Sequence, residues 1–288
     1  MAALTDEKKF ELLRFKLAET ELARVWREFE NAGLNPILIK GWAAAQYYPE
    51  PSTRALGDID LAFSADEYDR AVEIQNSKSL TLSDIHRELR HLDTERWERL
   101  FERSRRIECE GALIRVLSPE EHLRVLCVHW LNDGGAYFHR LNDIANLLTS
   151  TREEFDWNRC LSPLSEIRRN WIRTAVALAD LHLEQDLGFV PFADRFGEIP
   201  DWLQRTLKRE WESGYRLVPL HFVLREPKQF WRQLLKRIPP NALQATIGTE
   251  SAIDAGSRFP IILKDFLLRL GPSYKRVVPA LRHVFSGK

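Results

Sequence analysis

Apolar residues return at three- and four-residue steps through Phe10, Leu13, Leu17, Leu22, Val25, Trp26 and Phe29, predicting one long helix over residues 6–32 with a single apolar stripe. Gly33 stops it and Asn35-Pro36 bars continuation, because the residue before proline is pushed out of the helical region. Ile37-Leu38-Ile39 reads as a short buried strand ended by Lys40-Gly41. A brief helix over residues 42–48 is then broken by Pro49 and Pro51, and a loop runs to Gly57. Asp58–Phe63 predicts a second strand, and Ser64 with Glu67 forms a capping box that opens a helix to about Gln75. Residues 80–88 predict a third strand, with Asp84, His86 and Glu88 on one face by the period of two. A helix near 94–104 and a hairpin, 107–109 with 113–116 around Glu110-Gly111, complete this stretch.

From Ser118-Pro119 onward the texture is helical. Ser as cap with Pro at the first helical position starts a helix to about Leu131. Further helices are expected over 135–149, 164–185, 201–212, 229–237 and 258–270. The pattern predicts an α+β domain over residues 1–117, a small mixed sheet with flanking helices, and an all-helical domain over 118–288 that covers its cleft. Trp97, Trp157, Trp171, Trp202, Trp211 and Trp231 fall on apolar helix faces and are expected in the core. His122 and His129, seven residues apart on one helix, do not have the spacing of a zinc pair and read as packing residues.

Composition narrows the class only a little. Hydrophobic residues make up 44% and charged residues 29%, as in ordinary globular chains, and the 42 basic residues balance the 42 acidic ones. The balance is uneven along the chain: from Pro227 to Lys288 eleven basic residues face three acidic ones. This basic tail is suited to a phosphate-rich partner or a membrane surface, or to solvated helix faces. Three cysteines without ligand spacing argue against a disulfide framework, and neither a signal peptide nor an apolar run long enough for a membrane span is visible. A cytoplasmic location is expected.

The chemistry concentrates in Lys40-Gly41, Arg54 and Gly57-Asp58-Ile59-Asp60. Residues i and i+2 of a strand point the same way, so Asp58 and Asp60 would project together, and like charges at that distance call for a cation. Mg²⁺ takes one or two carboxylates plus substrate phosphates, with Mn²⁺ as its alternative, and Asp84 is the best placed third carboxylate ahead of Glu88, Glu108 or Glu110. Gly41, where a strand turns into a helix, lets backbone amides approach a phosphate group. Asp143 would either reach the cleft or form a salt bridge, and His86 would make a neutral hydrogen bond or act chemically.

This pattern resembles the polymerase-beta-type nucleotidyltransferases, in which a small-residue turn and short helix precede Asp-x-Asp on the next strand. It is similar to a poorly characterised bacterial branch whose turn reads Lys-Gly. Asp84-Ile85-His86, Ser118-Pro119-Glu120 and Leu141-Asn142-Asp143-Ile144-Ala145 add to the likeness, which covers roughly residues 30–150. Trp42 stands where the superfamily has its second small residue. The resemblance implies that Asp58, Asp60 and Asp84 bind metal and catalyse. It also implies that Gly41, Lys40 and Arg54 hold the triphosphate of ATP or another NTP, with an ordinary ion pair as the competing role for the two cations. The implied reaction moves a nucleoside monophosphate to the hydroxyl of a protein, small molecule, sugar or tRNA. A nucleotide-sugar transferase and a degenerate binding module are the alternatives.

Overall fold

The computed structural model describes residues 5–183, 185–213, 217, 218, 220, 223 and 226–269. Helix α1 (Asp6–Asn31) starts at Thr5, whose hydroxyl accepts from the Lys8 amide at 3.3 Å, and Asp6 and Glu7 favour its positive end. Only the second half of its stripe is covered. Leu22, Val25, Trp26 and Phe29 are buried, whereas Phe10, Leu13 and Leu17 are exposed.

A five-stranded sheet follows: β1 (Ile37–Leu38), β2 (Ile59–Phe63), β3 (Ser83–Arg87), β4 (Arg105–Cys109) and β5 (Ala112–Val116). The spatial order is β3-β2-β1-β5-β4. β1 runs antiparallel to β2 and parallel to β5, while β2 and β3 are parallel and β4 and β5 antiparallel. The expected α+β class with a mixed sheet and flanking helices is therefore found. Ser64 and Glu67 bond reciprocally, the Glu67 amide donating to Ser64 Oγ at 3.2 Å, and lead into α3 (Tyr68–Ser77), the crossover between the two parallel strands. Glu110 and Gly111 both have positive φ, 50° and 73°, as a two-residue hairpin with the natural strand twist requires.

Alternation gives the sheet two unlike faces. Ile59, Leu61 and Phe63 join Leu38, Ile114, Val116 and the buried side of α1 in one apolar cluster, where the Phe29 and Phe63 rings meet edge-on at 5.0 Å. A fully buried phenylalanine of this kind stabilises by about 1.5–3 kcal/mol. On the other face Ala62 joins Ile37, Ile39, Leu92, Leu117 and, from α4 (Trp97–Arg103), Leu100. Asp60 lies on this second face, in step with Ala62.

Helix α2 (Trp42–Ala45) is a single turn, and α5 (Pro119–Asn132) starts where proline at the first position allows. Beyond α5, Gly134 and Gly135 both have φ of 70°, and a Cβ on Gly135 would lie 2.1 Å from Leu207 Cδ2. The helix expected over 135–149 accordingly begins only at α6 (Leu141–Ser150). There follow α7 (Trp157–Leu161), α8 (Glu166–His182), α9 (Asp201–Glu212), α10 (Pro227–Arg237) and α11 (Ala242–Gly248), and residues 259–269 are helical. The two short helices α7 and α11 were not expected; each is nucleated by a cap, Asp156 and Asn241, rather than by an apolar stripe. Trp171 is fully buried as expected, but Trp231 is 59% exposed.

The chain forms two compact units, one of Met1–Leu126, Asn142–Leu164 and Gln185–Pro191, the other of Cys127–Leu141, Ser165–Glu184 and Phe192–Lys288. Residues 142–164 join the sheet-bearing unit through charge. Arg159 donates to the buried Glu121 carboxylate at 2.9 and 3.2 Å, and the Asp156 amide donates to Glu120 at 3.2 Å. In the second unit several basic residues of the tail are engaged internally: Lys236 with Glu210 at 2.7 Å, Arg269 with Asp265 at 2.7 Å, and Arg258 with backbone carbonyls. Lys275, Arg276, Arg282 and Lys288 lie outside the described residues.

Candidate functional site

The parallel ladder between β2 and β3 sets Asp60 directly beside Asp84, and Ala62 beside His86. The period of two then puts Asp60, Asp84 and His86 on one sheet face. His86 Nε2 stands 3.2 Å from Asp60 Oδ1 and 3.4 Å from Asp84 Oδ2, and one ligand atom from each residue fits within a 4.8 Å group. Asp60 is mostly shielded at 14% side-chain exposure, His86 is half-buried, and Asp84 is open at 62%.

Lys40 completes the cluster. Its ammonium lies 2.6 Å from the same Asp60 oxygen, and the Ile39 amide donates to the Asp60 carbonyl at 3.1 Å, which fixes the end of β1 against β2. Burial alone would raise the Asp60 pKa. The hydrogen bond from His86 and the charge and hydrogen bond of Lys40 outweigh it and hold the carboxyl below its ordinary value.

Asp58 is not among these groups. The strand starts at Ile59, so Asp58 belongs to the preceding loop, is exposed, and forms no hydrogen bond or ion pair among the described residues. Its carbonyl oxygen lies 3.5 Å from where a Cβ on Gly41 would stand. Gly41 itself has φ 61° and ψ −115°, a conformation that L side chains rarely adopt, and this sharp bend lets Lys40 turn back over β2 while Trp42 points elsewhere. Trp42 is buried in the α1 side of the core and its indole N–H donates to Glu19 at 3.0 Å. The bulky residue in the turn therefore sits among the core residues under α1 and takes no part in the Asp60 cluster.

Arg54 is committed to a partner. Its guanidinium grips Asp143 with two bonds of 2.8 Å, and Tyr48 donates to the same carboxylate at 2.7 Å. Burial pulls the Arg54 pKa down, but Asp143 more than compensates, with a smaller contribution from nearby Asp60, so it is raised overall. Tyr48 is pushed up, first by burial and then by Asp143. Of the two roles open to Asp143 from sequence, the salt bridge is the one formed. His122, expected as a packing residue, is fully buried with Nδ1 3.4 Å from the Tyr47 hydroxyl, and burial holds its pKa down at about 3.

Of the two roles open to His86 from sequence, a hydrogen bond with Asp60 is formed, and Tyr48 joins the Asp143 carboxylate unannounced by any motif. His86 was signalled by its alternation with Asp84, whereas nothing local marks Tyr48. Two carboxylate oxygens and one imidazole nitrogen converging from adjacent strands are a donor set that fits a divalent cation.

A family described as uncharacterised nucleotidyltransferase matches residues 3–81 and 75–179, more than half of the chain. The chain belongs to this family. The family's description implies a nucleotide substrate, and the matched residues include the whole sheet and the Asp60–Asp84–His86 cluster. No curated protein and no solved structure matches the chain. Among the described residues of this nucleotidyltransferase, no helix is long and apolar enough to cross a membrane.

Proposed function

We propose that the protein is a divalent-cation-dependent nucleotidyltransferase that moves a nucleoside monophosphate from an NTP to an acceptor hydroxyl and releases pyrophosphate. The observation that carries this reading is the in-register grouping of Asp60, Asp84 and His86 within a nucleotidyltransferase family chain. Asp60, Asp84 and His86 would hold the cation, with Asp58 free to approach from the preceding loop. Such a cation, when bound, neutralises phosphate charge and lowers the pKa of an attacking hydroxyl.

The remaining work falls to side chains and backbone. The acceptor oxygen forms a new bond to the α-phosphorus while the bond to the bridging oxygen of pyrophosphate breaks, and the electron pair leaves with pyrophosphate. Asp84, the most open carboxylate of the cluster, takes the acceptor proton. Lys40 and the Gly41 bend form the phosphate-facing wall. Lys40 is a mobile point charge suited to this role once released from Asp60. Arg54, held by Asp143, contributes fixed positive charge close to Asp60.

The test is release of pyrophosphate from each of the four NTPs, with intact-mass spectrometry of the chain and of added acceptors to detect a nucleotide adduct. Asp60→Asn and Asp84→Asn should each reduce release by at least a hundredfold (about 2.7 kcal/mol of barrier) while the circular dichroism spectrum is retained. Release that is unchanged in both variants removes the proposed mechanism.

A further inference from the structure

The carboxylates expected from sequence, Asp58, Asp60 and Asp84, would form an all-oxygen site. The group found in the structure is different: it substitutes an imidazole nitrogen for one of those oxygens. We infer that the site selects a first-row transition ion, with Mn²⁺ as the representative, over Mg²⁺, and that His86 Nε2 is the atom that discriminates. This inference rests on the proposed cation-dependent reading and names the chemical class of its cation.

Three observations support it. First, His86 is central to the group, its Nε2 facing both Asp60 at 3.2 Å and Asp84 at 3.4 Å. Metal–ligand bonds of about 2.0–2.2 Å put neighbouring donor atoms about 2.8–3.1 Å apart in an octahedral array and about 3.3–3.6 Å apart in a tetrahedral one, so the two separations from Nε2 are close to those a shared ion requires. Second, His86 is in register with Ala62, two residues beyond the Asp60–Asp84 pair, so the ladder sets its Cα on the same sheet face as theirs. Third, the Lys40 ammonium lies 2.6 Å from Asp60 Oδ1, so that oxygen already pairs with a positive group that a bound ion would displace. Mg²⁺ prefers oxygen ligands and retains much of its water, whereas imidazole suits the transition ions and carboxylate also suits Mn²⁺. A mixed set of two oxygens and one nitrogen therefore favours the borderline ions.

Isothermal titration of the full chain with Mn²⁺ and with Mg²⁺, with no nucleotide present, measures the preference. Electron spin-echo spectroscopy of the Mn²⁺-loaded chain reports directly whether nitrogen is bound. The expected result is tighter binding of Mn²⁺ and a clear ¹⁴N modulation, both lost in Asp60→Asn. His86→Asn should abolish the modulation and reduce the Mn²⁺:Mg²⁺ affinity ratio by about tenfold or more. If His86→Asn does not fold, the spectrum of the unsubstituted chain decides alone. Mn²⁺ bound in an Asp60-dependent way without nitrogen modulation, or an affinity ratio unchanged by His86→Asn, overturns the role of His86 and leaves the transferase reading intact. Absence of binding by either ion overturns this inference, while the transferase reading stands or falls on pyrophosphate release, because substrate phosphates supply part of the cation's coordination.

Discussion

Replacing Arg54 by Met tests whether this arginine is a brace or a free phosphate contact. Methionine keeps much of the hydrocarbon stem and removes the guanidinium. Asp143, only 4% exposed, would then keep a single donor, the Tyr48 hydroxyl at 2.7 Å, in place of three charge-assisted or hydroxyl bonds of 2.7–2.8 Å. Breaking one side of a buried ion pair costs about 3–5 kcal/mol, because the surviving charge is left without compensation. An arginine whose only duty was to await a phosphate would change stability by about 0.5 kcal/mol or less. Urea unfolding of Arg54→Met, Asp143→Leu and the double variant, followed by tryptophan fluorescence, separates the two. We expect a large loss in Arg54→Met and substantial recovery in the double variant, with a coupling energy of about 2 kcal/mol or more. A loss below about 1 kcal/mol, or strictly additive effects, would refute the bracing role.

His122 gives a pH signature. Its folded pKa is depressed to about 3 against 6.5 in the unfolded chain, so only the unfolded state takes up a proton as pH falls below neutrality. The associated stability is intact above 6.5 and lost progressively toward 3; about 1.4 kcal/mol is gone at pH 5.5. Comparing denaturation midpoints at pH 7.5 and 5.5 for the natural chain and His122→Gln should show a smaller pH difference in the variant. Gly41→Ala should cost about 1–3 kcal/mol from backbone strain alone, since the added Cβ meets only an ordinary 3.5 Å contact with the Asp58 carbonyl; an unchanged thermal midpoint would contradict the strain. Lys40→Met removes the ammonium that competes for Asp60, so calorimetric Mn²⁺ affinity should rise several-fold while NTP affinity falls. A weaker Mn²⁺ affinity would mean that Lys40 supports the cation and does not compete with it.

Much of the architecture was legible in the chain because local rules and burial agreed there. The α1 stripe, the Ser64–Glu67 box, the Glu110-Gly111 hairpin and the proline start of α5 each combine a backbone preference with an apolar pattern. Alternation also set Asp84 and His86 on one face of their strand and offered Asp84 as a carboxylate to join Asp60. It could not locate the first ladder bond of β2, and that single residue decides that Asp58 stands outside the group. Nor could spacing reveal partners fixed by tertiary contact: Lys40 reaches Asp60 through the antiparallel β1–β2 pair, and Arg54 meets Asp143 across 89 residues. The late start of α6 depends on two glycines with φ of 70°, where torsion overrides an apolar repeat that reads as continuous.

The β2–β3 register has a practical corollary for the connection over residues 78–82. The register holds residue 60 opposite residue 84, and a slip of one position would turn both Asp84 and His86 toward the hydrocarbon side occupied by Leu61 and Phe63. Deleting or adding one residue in that link is thus a silent-ligand knock-out: every side chain of the proposed centre survives in the gene, yet the centre itself is dismantled. Tolerance to altered loop length, more than tolerance to altered loop composition, would be the mark by which working and retired copies of this protein can be told apart.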